Sequence, residues 1–284
     1  MYRCWGTATH LSACYSKKDF DFTAQINGLR YEGNTGNEVD KGIFFYGAFE
    51  KPILYFLRDI MTSAYSGQGV FLDIGANTGQ HSLFISRHAR EIHAFEPWAP
   101  VLKKLRRHIE INHLKNIVVY PFGLGNENSK QLFYTPPENN LGMGSFVKEF
   151  ALPNRPEEIL EIRVGDDVLE KAAVTSVDLI KMDIEGYEKV ALKGLERTLR
   201  KFRPIVEFEL SANPKSPVSI KSNEELLSLF PENYEFLAFS QRSNPMTGAY
   251  ILEPISGLLQ FDKVEQHDLV AYPVEKKRLI KQQN

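Results

Sequence analysis

From residue 70 onward, short apolar runs alternate with amphipathic ones, and this alternation limits the fold more than any other feature of the chain. Residues 70–74, 91–95, 117–120, 177–182 and 205–210 read as strands, each bounded by polar or glycine-containing turns and too short for a stable helix. Between them, helices are expected around 82–88, over 101–114 and over 188–199. In the second of these, Val101, Leu102, Leu105 and Ile109 make an apolar face, and Lys103, Lys104, Arg106 and Arg107 a solvated one. Strands separated by crossover helices pair in parallel, and a parallel sheet needs cover on both faces. The fold class that follows is α/β, with helices on both sides of a mostly parallel sheet. Such sheets bind ligands outside the carboxyl ends of their strands. The chemistry is therefore to be sought just after Ile74, Phe95, Tyr120, Met182 and Leu210.

The flanks are less regular. Residues 1–48 are punctuated by glycines and read as irregular, whereas Glu50 and Pro52 open a helix in which Ile53, Leu54, Phe56, Leu57, Ile60 and Met61 recur at helical spacing. We divide the chain into an N-terminal extension and helix over 1–65, a candidate lid, and a catalytic domain over 66–284. Two strand-like runs, 131–134 and 159–164, enclose a loop rich in Pro, Asn and Gly. Ser222 with Glu225 forms a capping box for a helix over 224–230, and 234–239, 249–252 and 269–271 are expected to pair as neighbouring antiparallel strands. The net charge of -2 among 284 residues lacks the cationic excess of a dedicated nucleic-acid binder. The two cysteines, Cys4 and Cys14, read as reduced thiols. No apolar run approaches the ~20 residues of a membrane span, and a cytoplasmic location is expected. The oligomeric state has no signature.

After the first strand stands Asp73-Ile74-Gly75-Ala76-Asn77-Thr78-Gly79. Gly75 and Gly79 allow a tight turn and close approach of a ligand, and the helix that follows offers free N–H groups. Glu96 ends the second strand, where a carboxylate can accept both hydroxyls of a ribose. A nicotinamide dinucleotide calls for G-x-G-x-x-G and a seat for pyrophosphate. Here the spacing is G-x-x-x-G and an acid precedes it, which suits a cationic ligand such as S-adenosylmethionine, with its sulfonium and ammonium groups.

This loop, then Phe95-Glu96-Pro97, then Lys181-Met182-Asp183-Ile184-Glu185-Gly186-Tyr187-Glu188, resembles the FkbM family of methyltransferases in residues, order and spacing. The resemblance covers roughly residues 49–210, with a weaker echo at 268–273. It implies a Rossmann-like class I methyltransferase fold, a seven-stranded sheet whose last strand is antiparallel, with S-adenosylmethionine as donor and O-methylation of sugars or natural products. It further implies that Asp73, Gly75, Ala76, Asn77 and Gly79 line the methionine end of the donor. Glu96 and Pro97 would then meet the ribose, Gly123 and Leu124 would flank the adenine, and Glu50 would supply an acid from ahead of the first strand. Asn140 to Ser145 match a loop on the substrate side. Where the family commonly has an aromatic pair after the loop, this chain has Gln80-His81, which bears on the acceptor rather than the donor.

The remaining candidates are acids at strand ends. Asp183 and Glu185 follow the fourth strand, Glu188 reads as a helix-start acid, and of Glu207 and Glu209 on the fifth strand only Glu209 is expected at the rim. A hydroxyl acceptor benefits from a base as its proton leaves, and Asp183 or Glu209 is the expected base, with Glu185 beside them. His81 is placed on the substrate side. No metal is expected, because a clear third ligand to join Asp183 and Glu185 is missing. The partner is a small-molecule or glycan acceptor with a free hydroxyl. The alternatives are a methyltransferase acting on protein or RNA, an NAD-dependent dehydrogenase, and a silent nucleotide-binding module.

Overall fold

A computed structural model of the chain describes residues 19–255 and 259–280. The chain enters through a hairpin, β1 (Asp21–Ile26) and β2 (Leu29–Asn34), followed by α1 (Glu38–Tyr46) and α2 (Lys51–Ser63). Then come β3 (Val70–Ile74), α3 (Gln80–Ile85), β4 (Glu91–Phe95), α4 (Ala99–Ile111) and β5 (Ile117–Tyr120). A side sheet is built from β6 (Gly123–Gly125), β7 (Ser129–Tyr134) and β8 (Glu157–Val164). The chain closes through α5 (Gly165–Lys171), β9 (Leu179–Met182), α6 (Glu188–Lys193), α7 (Glu196–Phe202), β10 (Ile205–Ala212), α8 (Asn223–Ser228), β11 (Tyr234–Phe239), β12 (Leu252–Pro254) and β13 (Glu265–Pro273).

The main sheet has eight strands in the order β12-β11-β13-β10-β9-β3-β4-β5. The strands β5, β4, β3, β9 and β10 run parallel, and β13 inserts antiparallel between β10 and β11. This is the Rossmann-like class I arrangement with its antiparallel last strand, enlarged from the expected seven strands by β12. That short strand pairs with the free edge of β11 and supplies its missing ladder bonds. The strand order reverses between β3 and β9, the topological switch point at which such sheets bind ligands.

Helices cover both faces. On one, Leu72, Ile74, Ile180, Met182, Val206 and Phe208 pack against Leu192, Leu195, Leu199 and Leu226 from α6, α7, α8 and the turn between the first two. On the other, Phe71, Leu179, Ile205 and Val270 pack under Leu54, Phe56, Leu57, Ile60 and Met61 of α2 and Phe84 and Ile85 of α3. The helix opened by Pro52 therefore belongs to the same core as the sheet.

Two expectations need correction. Residues 1–48 are not irregular throughout: β1 and β2 form a hairpin around Asn27 and Gly28, both at positive φ. Asn-Gly between alternating apolar residues is the sequence signal for that turn. The helix expected over 188–199 is two helices. Asp166 on α5 caps the second from outside, its carboxylate accepting from the backbone N–H groups of Arg197 and Thr198 at 2.8 Å each. The basic face of α4 is solvated as expected, with Lys103, Arg106 and Arg107 exposed, and two of its cations also reach acids, Arg107 pairing with Glu32 of β2 at 3.1 Å and Lys104 with Asp40 of α1 at 3.5 Å. Cys4 and Cys14 lie outside the described residues. No helix among the described residues is long and apolar enough to cross a membrane.

Candidate active site

On the face covered by α2 and α3, the sheet turns from apolar to charged as its strands approach their carboxyl ends. Phe71, Leu179 and Ile205 lie deep in it. Two residues further along, Asp73, Lys181 and Glu207 are lateral neighbours in register across β3, β9 and β10. Side chains two apart on a strand share a face, so this row of acid, lysine and acid lies side by side, and all three are buried. One step nearer the mouth come Gly75, Asp183 and Glu209, the last paired in register with Asp268 of β13. Glu207 thus faces the same way as Glu209, although only Glu209 was expected there.

Above this face lies a cavity of about 340 Å³, bordered on one side by Glu96, Pro97 and Trp98 after β4 and on the other by Asp183, Glu185 and Glu209. Its roof comes from residues 140–144 and Phe146, a loop held by the side sheet through paired backbone bonds between Tyr134 and Ser145. Of the residues proposed from sequence, Glu50, Gly75, Ala76, Asn77, His81, Glu96, Pro97, Asn140, Asp183, Glu185 and Glu209 line this one cavity. The others do not. Asp73 lies beneath the floor, where Ser82 Oγ donates to it at 2.6 Å. Gly79 is the left-handed cap at the start of α3. Gly123 and Leu124 are buried in β6, pairing with Ile162 and Arg163 of β8. Ser145 is fully buried and donates to the Glu185 carbonyl at 2.7 Å, tying the roof loop to the turn after β9. Among the lining residues given no site role from sequence are the aromatics Trp98, Phe133 and Phe146, Gln266 from β13, and Lys181, which was read only as part of the family motif. Lys181 had a signal, since it is a lone cation inside the otherwise apolar strand Leu179–Met182.

The loop after β3 is held by neighbouring strand ends. Gly75 and Ala76 both donate to the Phe95 carbonyl at 3.0 Å, and Asp183 N–H donates to the Ile74 carbonyl at 3.0 Å. Gly75 has φ +82°, and a Cβ there would stand 2.0 Å from the Asp183 carbonyl oxygen. Only glycine lets the two strand ends meet so closely. Glu96 accepts from Trp98 N–H at 2.8 Å on one oxygen and from Asn77 N–H at 2.9 Å on the other, leaving lone pairs on each.

Electrostatically the cavity is a carboxylate cluster with one buried cation. Lys181 Nζ sits 3.0 Å from Asp183 Oδ2. Burial works against its charge, but Asp183, Glu50, Glu207 and Asp73 outweigh that and raise its pKa. Burial pushes Glu96 up to about 7, Glu50 to about 8 and Glu185 to about 8. Glu209 rises to about 10, through burial and then the neighbouring Asp183 and Glu185. His81 is driven well down by burial and by Lys181, so its ring is neutral. Its Nε2 is buried without a hydrogen-bond partner and lies 3.7 Å from Glu50 Oε2. Glu188 accepts from Gly186 N–H at 3.0 Å and from Ile184 N–H at 3.3 Å, bracing the turn that presents Asp183 and Glu185. Among the described residues, no group of three or more His, Cys, Asp or Glu side chains is arranged to hold a metal ion.

A doubly wound sheet with an acid at the end of its second parallel strand and an acid-lined cavity at its switch point is the arrangement of a Rossmann-like nucleoside-binding enzyme, the class to which methyltransferases of this fold belong. The chain belongs to the FkbM methyltransferase family, whose domain, described as "Methyltransferase FkbM domain", it matches over residues 73–239. Among curated proteins it is similar to the hexuronic acid methyltransferase AglP of Haloferax volcanii, with 25% identity over 158 residues, 55% of this chain and 63% of that protein. It is also similar to Methyltransferase 1 of Beauveria bassiana, with 27% identity over 143 residues, 44% of this chain and 57% of the relative. The match thus spans less than two thirds of either relative's length. A solved FkbM methyltransferase from Methylobacillus flagellatus aligns over 72% of this chain and 44% of its own, at 19% identity and a TM-score of 0.45.

Proposed function

We propose that the protein is an S-adenosylmethionine-dependent O-methyltransferase acting on a hydroxyl of a sugar, glycan or related natural product. The observation that carries this reading is that Glu96 and Asp183 open into one cavity from either side of Gly75. The residues fit the donor. Glu96 has free lone pairs for ribose hydroxyls, the glycine loop lets a ligand approach the backbone, and the acidic lining suits a ligand with sulfonium and ammonium charges. The same lining, whose one lysine is already paired, offers a pyrophosphate carboxyl groups and no free cation, which speaks against a dinucleotide. A cavity of about 340 Å³ lies in the usual range for small-ligand sites.

When bound, the donor supplies a methyl carbon already activated by its sulfonium. The protein then has to orient the acceptor oxygen, exclude water and receive one proton. Asp183 is the favoured base. It is the cavity carboxylate paired with a cation, Lys181, and its other oxygen is free of that contact, whereas Glu50, Glu185 and Glu209 hold protons near neutrality. The sugar class is supported by the hexuronic acid methyltransferase among the relatives.

The test is calorimetric titration with S-adenosylmethionine, S-adenosylhomocysteine and NAD, followed by acceptor screening with a labelled methyl group. Micromolar binding of the two adenosyl ligands, about -8 kcal/mol, supports the reading, and binding of NAD alone overturns it. Asp183→Asn should leave donor affinity intact and slow turnover about 10²–10⁴-fold. An undiminished rate removes Asp183 as base.

A further inference from the structure

The acceptor end of the cavity, between β9 and β10, carries a charge pattern that selects among hydroxyl compounds. Its lining acids are Glu50, Asp183, Glu185 and Glu209, with Asp268 beside Glu209 in the sheet. Lys181, the one cation in the lining, is 3% exposed and already held by Asp183. A carboxylate-bearing acceptor would add another acid to a crowded cluster and find no free cationic partner, because Lys181 is held by Asp183. A neutral sugar would bring no cation to displace the protons that these acids hold. An independent feature points to a polar ligand at the same place: His81 is 7% exposed, and its Nε2 has no hydrogen-bond partner while its ring lines this cavity. Buried polar atoms are normally satisfied, so a ligand hydroxyl is the natural complement to that neutral nitrogen.

We propose that the acceptor is an amino-bearing polyol, such as an amino sugar, whose protonated amine is held by Glu185 and Glu209 while a neighbouring hydroxyl lies toward His81 and Asp183. This rests on the methyltransferase reading above and departs from the acidic sugar named for the Haloferax relative. Charge-assisted hydrogen bonds of this kind separate an amine from a matched hydroxyl compound by about tenfold or more in affinity. Glu185 and Glu209 retain protons in the free protein: burial raises Glu185 first, then Asp183, Glu188 and Glu50, with Lys181 opposing, and burial raises Glu209 first, then Asp183, Glu185, Glu188 and Asp268. A cation bound between them displaces those protons, so amine binding is coupled to proton release.

The experiment titrates the full chain, saturated with S-adenosylhomocysteine, with D-glucosamine, D-glucose and D-glucuronate in two buffers of different ionisation enthalpy at about pH 6.5. The expected result is glucosamine binding about tenfold or more tighter than glucose, undetectable glucuronate, and an observed heat that changes with buffer for glucosamine alone. Glu185→Gln combined with Glu209→Gln should remove both the preference and the proton release. Equal affinities, tighter binding of glucuronate, binding of none of the three, or an unchanged preference in the double variant overturns the inference. Failure of S-adenosylhomocysteine to bind at the outset overturns the methyltransferase reading instead, and this inference with it.

Discussion

Replacing Lys181 by Met tests whether one buried cation holds the acidic face of the sheet together. Methionine keeps most of the volume, so the loss isolates the charge. Lys181 is 3% exposed, its Nζ lies 3.0 Å from Asp183, and its lateral neighbours are Asp73 and Glu207. Removing one partner of a buried pair costs about 3–5 kcal/mol. The acids can blunt this by taking up protons, which makes the cost depend on pH. Burial raises the pKa values of Glu50, Asp73 and Glu207, and Lys181 opposes that rise at all three. Without it their folded pKa values climb further above the unfolded ones. A group of this kind contributes fully below its unfolded pKa and loses that contribution as pH rises through the folded value. The penalty should therefore be small near about pH 5 and grow as pH rises toward and through the parent protein's folded values, about 8 for Glu50, by ~1.4 kcal/mol per pH unit for each proton that only the variant retains. Urea unfolding at three pH values across that window measures it, as a lowered midpoint at constant m. A penalty below about 1 kcal/mol at the alkaline end, or one that does not vary with pH, would falsify the idea that Lys181 compensates these acids. Adding Glu207→Leu should recover part of the loss, because both partners of a buried pair are then gone.

Three further outcomes are expected. Gly75→Ala forces a Cβ into the Asp183 carbonyl, 2.0 Å away, at φ +82°. The backbone strain alone is roughly 1–2 kcal/mol, and a thermal shift assay should show a lowered Tm with no stabilisation by S-adenosylhomocysteine; normal stabilisation would count against the loop. Tyr31→Phe removes the hydroxyl that donates to buried Asp40 at 2.6 Å and meets Thr78 Oγ1 at 2.9 Å. About 1–3 kcal/mol of stability should go with it, measured by urea unfolding, together with some affinity for S-adenosylhomocysteine, because Thr78 belongs to the ligand loop. Glu96 has a pKa near 7 set first by burial, and a ligand hydroxyl donates best to its ionised form. The affinity for S-adenosylhomocysteine should therefore fall by up to about tenfold per pH unit below about 7, and Glu96→Gln should flatten that dependence.

Much of the fold was legible because its signals are local. Strands β3, β4, β5 and β11 fall on the expected residues, and Ser222 caps α8 by accepting from Glu225 N–H at 3.1 Å. Periodicity and caps act within a few residues, so a window of sequence contains them. The helix break at residue 194 was not legible, because the cap that makes it comes from Asp166 on a separate helix. The edge strand β12 was misplaced for a related reason: what defines it is a vacancy on β11 rather than a pattern of its own.

At the site the division is similar. The sequence alone determined that a glycine loop, Glu96 and Asp183 stand at the carboxyl ends of parallel strands, since strand ends and turn residues are local properties. Only the tertiary structure decided that Asp73 lies beneath the floor beside Lys181, that Glu207 completes the buried row, and that Asp183 takes the lysine while Glu185 and Glu209 do not. Those relations are lateral, between strands far apart in the chain, and depend on the register with which β3, β9 and β10 pair. A carboxylate's role here follows from which neighbours lie across the sheet and how deeply they are buried.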